Sequence, residues 1–332
     1  MKKLGLGKIP IDVLGRTMLG RTGAPSGSVV MGPKPGVDFA AIKLDRGFLL
    51  VSADPITGAS QNIGRYAVEV SANDVATSGN KPQFAESVVL LPEGSTAADA
   101  DAIGRQMDET AKSLEVSIVG GHTEVTPRLD RPILVVTMFS YVQDFVSAEG
   151  AREGDSLLMT KSAGLEGTAE IAAEHGDLLA GVPRPYVRKA KAMISQLSVV
   201  REASVAYKTG RVHAMHDCTE GGVIGGVYEM SLASGLGFLL REASVPVAPE
   251  TRAICDVLRI DPLRLIGSGA LLLAVEPGGE AEVERALAGV CQATKIGEFR
   301  KGTRQMVTKD GSKRQVLEAP EDELWRVLSR PG

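Results

Sequence analysis

The sequence predicts an α/β protein built as two α/β domains, and three observations carry that prediction. Short apolar runs of strand length alternate with longer stretches whose apolar residues recur at helical spacing. At 332 residues the chain is long for a single hydrophobic core, which points to two domains. The alternation also restarts after a hydrophilic break at residues 149–155, although no residue-level repeat links the halves.

Residues 1–36 read as a flexible segment. Gly and Pro crowd the stretch from Gly15 to Gly36, which fits a floppy arm or a mobile lid over a ligand. Phe48–Ala53 is an apolar run of strand length. A helix is expected over Ile63–Ser78, rich in small residues and stopped by Gly79. Phe84–Leu91 reads as a strand closed by Pro92, Thr96–Leu114 as a helix, and Val116–Val119 and Ile133–Val142 as strands of a first domain, 37–150. The second domain, 151–332, opens with a strand at Ser156–Thr160. Its helices are expected at Leu165–Glu174, Pro185–Tyr207, Gly222–Ser234 and Glu280–Ala288. Further strands are expected at His213–His216, Phe238–Arg241, Ala270–Val275 and Ala293–Phe299, and the charged residues after Gly302 read as peripheral.

Composition narrows the function classes. Hydrophobic residues make up 43% but aromatics only 4%, so the cores must be built from Val, Leu, Ile and Ala. A net charge of −4 without long runs of one sign argues against a nucleic-acid or anionic-membrane surface. Cys218, Cys255 and Cys291 lie far apart, which argues against a disulfide framework or a structural zinc site. Met1-Lys2-Lys3 looks like the start of a signal peptide, but Gly5, Gly7, Pro10 and Asp12 interrupt any apolar region behind it. No apolar stretch approaches membrane-span length, and the expectation is a soluble cytoplasmic protein.

Four short acidic strings stand out from this aliphatic background: Ser52-Ala53-Asp54-Pro55, Asn73-Asp74, Gly120-Gly121-His122-Thr123-Glu124 and His216-Asp217-Cys218-Thr219-Glu220-Gly221-Gly222. Hard cations such as Mg²⁺ want oxygen ligands, and phosphates want glycine-exposed backbone N–H groups. Asp54 follows a strand directly, with Pro55 expected to end its pairing; the plain alternative is an Asp that starts a turn. Asn73 and Asp74 fall inside an apolar helix, where a polar pair needs partners: a metal or ligand, or a helix-end cap. Gly120 and Gly121 after a strand permit close approach to a phosphate, or form an ordinary turn. At Gly221–Gly222 a helix N-terminus can face an anion, and Thr219 and Glu220 fit as its capping residues. Cys218 reads as buried packing rather than a nucleophile, because no base is identifiable. No Walker A loop is present, so ATP binding would need a less common fold.

In order and spacing these strings resemble the superfamily of aminoimidazole ribonucleotide (AIR) synthase, the hydrogenase-maturation protein HypE, selenophosphate synthetase and thiamine-monophosphate kinase. The likeness is nearest to archaeal HypE-like, AIR synthase-related proteins. It runs from about Gly36 to Phe299 and also rests on Asp54–Gly58, Ala72–Ala76, Leu90–Glu93, Gly120–Pro127 and Asp261-Pro262-Leu263. The resemblance implies two α/β domains and a homodimer whose N-terminal domains pair into a β-barrel, with ATP and Mg²⁺ in a nearby cleft. Asp38, Asp54 and Asp74 are then expected to hold metal and phosphate. Asn73, Gly120, Gly121, Thr123, Glu124, Gly221 and Gly222 are expected around the nucleotide, and Asp217 and His122 as catalytic groups facing a small-molecule substrate. The chemistry implied is ATP-driven phosphorylation of an amide-like oxygen. A kinase resembling thiamine-monophosphate kinase and a non-catalytic nucleotide-binding protein are the alternatives. The sequence departs from HypE in ending Leu328-Ser329-Arg330-Pro331-Gly332 rather than in a reactive cysteine. It also has His122 where several members carry an acid, and no counterpart of the N-terminal cysteine of selenophosphate synthetases.

Overall fold

A computed structural model describes residues 4–329; the readings attached to Met1–Lys3 and Arg330–Gly332 lie outside the described residues. A short helix, α1 (Ile11–Leu14), and a strand, β1 (Val29–Met31), fall inside the segment expected to be floppy. The first sheet adds β2 (Ala40–Lys43), β3 (Phe48–Ile56), β4 (Phe84–Leu91), β5 (Ser117–Val125) and β6 (Ile133–Val142), in the order β1-β2-β3-β6-β4-β5. Neighbours are antiparallel except for the parallel pair β4–β5. Helix α2 (Ile63–Ala76) packs on β3 and β6, and α3 (Ala97–Leu114) packs on α2. Small residues on α2 allow this: a Cβ at Gly64 would lie 2.7 Å from the Ile103 carbonyl oxygen on α3.

The second half contains β7 (Ser156–Thr160), α4 (Leu165–Glu174), α5 (Arg184–Ala192), α6 (Val200–Lys208), β8 (Val212–Asp217), α7 (Gly222–Ser234) and β9 (Gly237–Arg241). It continues with α8 (Pro249–Leu258), β10 (Leu271–Val275), α9 (Glu280–Leu287), β11 (Ala293–Arg300), β12 (Arg304–Val307), β13 (Lys313–Gln315) and α10 (Glu323–Leu328). Its sheet runs β13-β12-β9-β11-β7-β10-β8. Among the described residues, no helix is long and apolar enough to cross a membrane.

Several local readings are corrected. Pro55 does not end β3, which stays paired with β6 through Ile56. Pairing with β2 stops at Val51, so the proline sits where the other edge of the strand has no partner to lose. Gly120 and Gly121 do not form a loop: β5 runs through them to Val125, in register with Glu86–Leu91 of β4. A side chain at Gly121 would strike the Ser87 carbonyl oxygen, so close strand approach accounts for that glycine. The single helix expected over 185–207 is broken by a 3₁₀ turn, Met193–Gln196, and a short connection. There the Lys161 ammonium takes the Gln196 and Ser198 carbonyls, and the Asn73 side chain takes the Val199 N–H. The tail after Gly302 is not peripheral: β12 pairs with β9, and α10 buries Leu324 and Val327.

The two sheets share one apolar core. Leu134, Val136 and Met138 of β6 and Val68, Ala72 and Val75 of α2 belong to it, together with Leu158 of β7, Ala203 of α6 and Leu271 and Leu273 of β10. Asn73 joins the halves through hydrogen bonds. It is fully buried, donates from Nδ2 to the Leu197 carbonyl at 2.8 Å and accepts the Val199 N–H at Oδ1 at 2.8 Å.

Candidate active site

Carboxylates from both halves converge at one place. Strand alternation puts Ser52 and Asp54 on the same face of β3. Asp74 lies on the buried helix α2, and the Ser52 hydroxyl donates to its Oδ2 at 2.5 Å. Asp38 arrives on the connection between β1 and β2. Its approach depends on Gly36, which has φ +77° and sits so close to the Glu229 backbone of α7 that a Cβ would overlap it. Strand β8 ends in His216 and Asp217, and α7 presents Glu229.

His216 is clamped from both sides. Its Nε2 lies 3.0 Å from Glu229 Oε2, and its Nδ1 contacts Asp38 Oδ1 at 2.5 Å as an ion pair, off hydrogen-bond alignment. Burial alone would lower its pKa, but Asp38 and Glu229 outweigh burial and hold it well above the ordinary value. Glu229 is likewise held down to about 2, because Lys8 and His216 outweigh its burial. His216 is therefore an imidazolium brace, with both nitrogens engaged, rather than a free metal ligand.

The aspartates are short of positive charge. Burial, then the charge of Asp38, pushes Asp217 up to about 8. Burial, followed by Asp54, Asp217 and Asp38, raises Asp74 well above the usual carboxylate range, and burial also raises Asp54. Asp217 Oδ2 is buried without a hydrogen-bond partner. Asp38 and Asp217 each bring a carboxylate oxygen within 4.8 Å of the other and of the His216 ring, so the two carboxylates stand ready as ligands beside the brace. An oxygen-rich, under-neutralised centre with an orphaned carboxylate oxygen fits a hard dication such as Mg²⁺.

Besides the His216 imidazolium, a second cation reaches this centre. The Lys8 ammonium lies 3.1 Å from Thr219 Oγ1 and 3.4 Å from Glu229 Oε1, while its backbone N–H donates to Glu220 Oε2 at 2.8 Å. Trp325 Nε1 donates to the same Glu220 oxygen at 3.2 Å, so the α10 segment helps hold the N-terminal arm.

Of the residues singled out from sequence, Asp38, Asp54, Asp74 and Asp217 are brought together. Asn73 is adjacent in sequence, but both ends of its amide bridge the two halves. The Gly221 N–H is taken by Asp322 Oδ2 at 2.7 Å and the Gly222 N–H by the Thr219 carbonyl, so this helix start is not an open anion site. Gly120, Gly121, His122, Thr123 and Glu124 lie on exposed β5, three strands from β3, or roughly 14 Å at ordinary strand spacing. There His122 Nε2 sits 3.1 Å from Glu124 Oε2, and the Thr126 hydroxyl donates to Glu124 Oε1. Within one chain these residues do not reach the aspartates. Ser52, Glu229, His216 and Lys8 were not assigned roles from sequence. Lys8 and Glu229 have no local motif, and His216 only shares a string with Asp217. Cys218 is fully buried, and burial drives its thiol pKa well up, which suits packing rather than nucleophilic attack.

Residues 36–142 match the family described as AIR synthase related protein, N-terminal domain, and residues 152–310 match its C-terminal domain. Carbamoyl dehydratase HypE of Escherichia coli K12 is 31% identical over 238 residues, covering 70% of this chain and 68% of that protein. The HypE–HypF complex contains a chain with the same fold (TM-score 0.77, 23% identity, 92% of this chain and 99% of that one). HypE in complex with ATP superposes with a TM-score of 0.72 at 22% identity, over 93% of this chain and 92% of that one. AaThiL complexed with AMPPCP and TMP gives 0.71 at 18%, over 93% and 94%.

Proposed function

The chain belongs to the AIR synthase-related family, and from that premise we propose that it is an ATP- and Mg²⁺-dependent enzyme. It activates an oxygen of a small, amide-like substrate by phosphorylation. The observation that carries the reading is the convergence of Asp38, Asp54, Asp74 and Asp217 around an orphaned, buried carboxylate oxygen. The relationship to a carbamoyl dehydratase, and the fold shared with an ATP-bound HypE, support ATP as the nucleotide.

Bound Mg²⁺ would neutralise phosphate charge at these aspartates. The protein's own part is positional. Ser52 fixes the Asp74 carboxylate, and the His216 imidazolium fixes Asp38 on one side and Glu229 on the other. Lys8, on the N-terminal arm, is placed to move from Glu229 and Thr219 to a phosphate oxygen. Asp217, whose carboxyl is raised to about 8, can hold a proton near neutrality until a cation or substrate replaces it.

We further read the exposed face of β4 and β5 as the contact between two copies of the chain. Phe84 and Val88 leave apolar surface on the face they share with His122, and Ile118, Val119 and Val125 leave more along the edge strand β5. Pairing along this face would supply the Gly120–Glu124 segment, including His122, to a nucleotide site from a second chain.

Two measurements test the enzymatic reading. Asp74→Ala should abolish Mg-ATP binding in calorimetry, and unchanged binding would falsify the site. An ATPase screen against small amides should release ADP with orthophosphate. A stable phosphorylated product would instead identify a kinase, and tight ATP binding without turnover would identify a binding protein.

A further inference from the structure

Beside the acidic centre lies a second set of acidic groups that the phosphoryl chemistry leaves unused. Glu166 and Glu170 stand one turn apart on α4, so their side chains leave the same face. They are 5% and 3% exposed, and Glu166 Oε2 and Glu170 Oε1 are buried with no hydrogen-bond partner. Among the described residues, neither carboxylate is in an ion pair. Ser268, fully buried, turns its hydroxyl and N–H toward the Glu166 carboxyl and favours its charged form, but the hydroxyl lies outside hydrogen-bond geometry and its oxygen has no other partner.

The opposite wall comes from the first half of the chain. A Cβ at Gly58 would lie 3.1 Å from Glu170 Oε1. That loop is pinned: Glu174 Oε1 accepts the N–H groups of Ser60 and Gln61 at 2.5 and 2.7 Å, and Arg131 donates to the Gly58 carbonyl at 3.0 Å. Arg131 is thus turned to the backbone instead of pairing with Glu170. Burial pushes Glu166 up to about 7; burial and the Glu166 charge push Glu170 up to about 8. Asp322 and Asp54 also bear on Glu166, which places the set next to the aspartate centre.

Three buried oxygens outside hydrogen-bond geometry with any partner, two of them on carboxylates, describe a missing cation that carries hydrogens. A divalent metal fits poorly, since two carboxylates and a hydroxyl fall short of the six or more oxygen ligands that Mg²⁺ or Ca²⁺ takes. A primary ammonium offers three N–H donors to three acceptors. We propose that Glu166, Glu170 and Ser268 form a subsite for a primary ammonium group, so that the substrate activated at the aspartates carries an amine. The substrate role rests on the phosphoryl-activation reading; the binding of an ammonium does not.

The test uses the full chain and methylammonium chloride as probe, against sodium chloride and tetramethylammonium chloride at equal ionic strength. Methylammonium should raise the melting temperature and bind in calorimetry, whereas tetramethylammonium, lacking N–H donors, should match sodium. Glu166→Gln and Glu170→Gln should each weaken methylammonium by about tenfold or more, and Ser268→Ala by less. Equal responses to the three salts, or unchanged affinity in both Gln variants, overturns the proposal. So does a crystal soaked in methylammonium with only water against the three oxygens. Mg-ATP calorimetry on the wild-type chain is read separately: its failure with methylammonium bound would sink the phosphoryl reading and leave the ammonium subsite standing.

Discussion

Asn73→Ala tests whether Asn73 is a joint between the halves or part of the nucleotide site. The side chain is fully buried, and both hydrogen bonds it makes to the 197–199 connection are 2.8 Å long. Alanine would strand the Leu197 carbonyl and the Val199 N–H away from water. Each stranded group costs about 1–3 kcal/mol, so the loss should be about 2–6 kcal/mol. Urea unfolding followed by circular dichroism reads this as a lower midpoint at constant slope. Asn73→Asp can still accept from Val199 but sets a carboxylate against the Leu197 carbonyl, and should be no more stable than the alanine variant. Under conditions where Asn73→Ala stays folded, its Mg-ATP affinity should lie within about twofold of wild type, because the amide has no hydrogen bond left to offer a ligand. A stability loss below about 1 kcal/mol, less than one stranded group costs, would refute the joint. Intact stability with lost Mg-ATP binding would return Asn73 to the nucleotide.

Other expectations follow from the same geometry. Glu166, Glu170 and Asp322 have folded pKa values raised to about 7, 8 and 6, so the unfolded chain releases these protons first. Their contribution is present below the ordinary carboxylate range and is lost as pH rises through those values; Glu229, held near 2, acts in the opposite sense and only in acid. Chemical denaturation of the ligand-free protein should therefore show stability falling between pH 5 and pH 8, with a flatter profile in Glu170→Gln; an identical slope in the variant contradicts the assignment. Lys8→Gln removes the mobile cation at the acidic centre and leaves the His216 imidazolium, so Mg²⁺ without nucleotide should bind about threefold to tenfold more tightly by calorimetry; weaker binding would show that Lys8 does not compete there. Val119, 63% exposed on β5, lies on the face read as a dimer contact, and Val119→Asp should shift sedimentation velocity from dimer to monomer. A monomeric wild type removes that contact from the account.

Helix α2 and strands β4 and β6 were legible because apolar spacing and glycine or proline stops mark them without help from the rest of the chain. Asp54 was legible as a candidate, but not its place inside β3, since which edge of a strand lacks a partner depends on the β2 pairing stopping at Val51. Glycines at 120 and 121 looked like a loop because close strand-to-strand approach and turn formation ask for the same residue. Of the candidate site, the four aspartates could be named from sequence, whereas the groups that set their charge could not. Lys8 and Glu229 are 221 residues apart, and nothing local to either announces the pair. Glu166, Glu170 and Ser268 were missed for a related reason: an acid on a helix is ordinary until folding buries it without a partner.

The apolar core that runs from β6 through α2 into β7 and β10 also limits how this molecule can open. A hinge between the halves would pull Leu134, Val136 and Met138 away from a shared interior and break the Asn73 bridge, which makes a clamshell motion costly. The arm around Gly7 and Lys8 is held differently, by a few polar contacts to Thr219, Glu220 and Glu229 at the edge of the aspartates. Releasing it exposes no core. On the phosphoryl reading, ligand traffic at this site belongs to a short strap with a charged tip, and the body of the protein can stay rigid while the strap exchanges one set of charges for another.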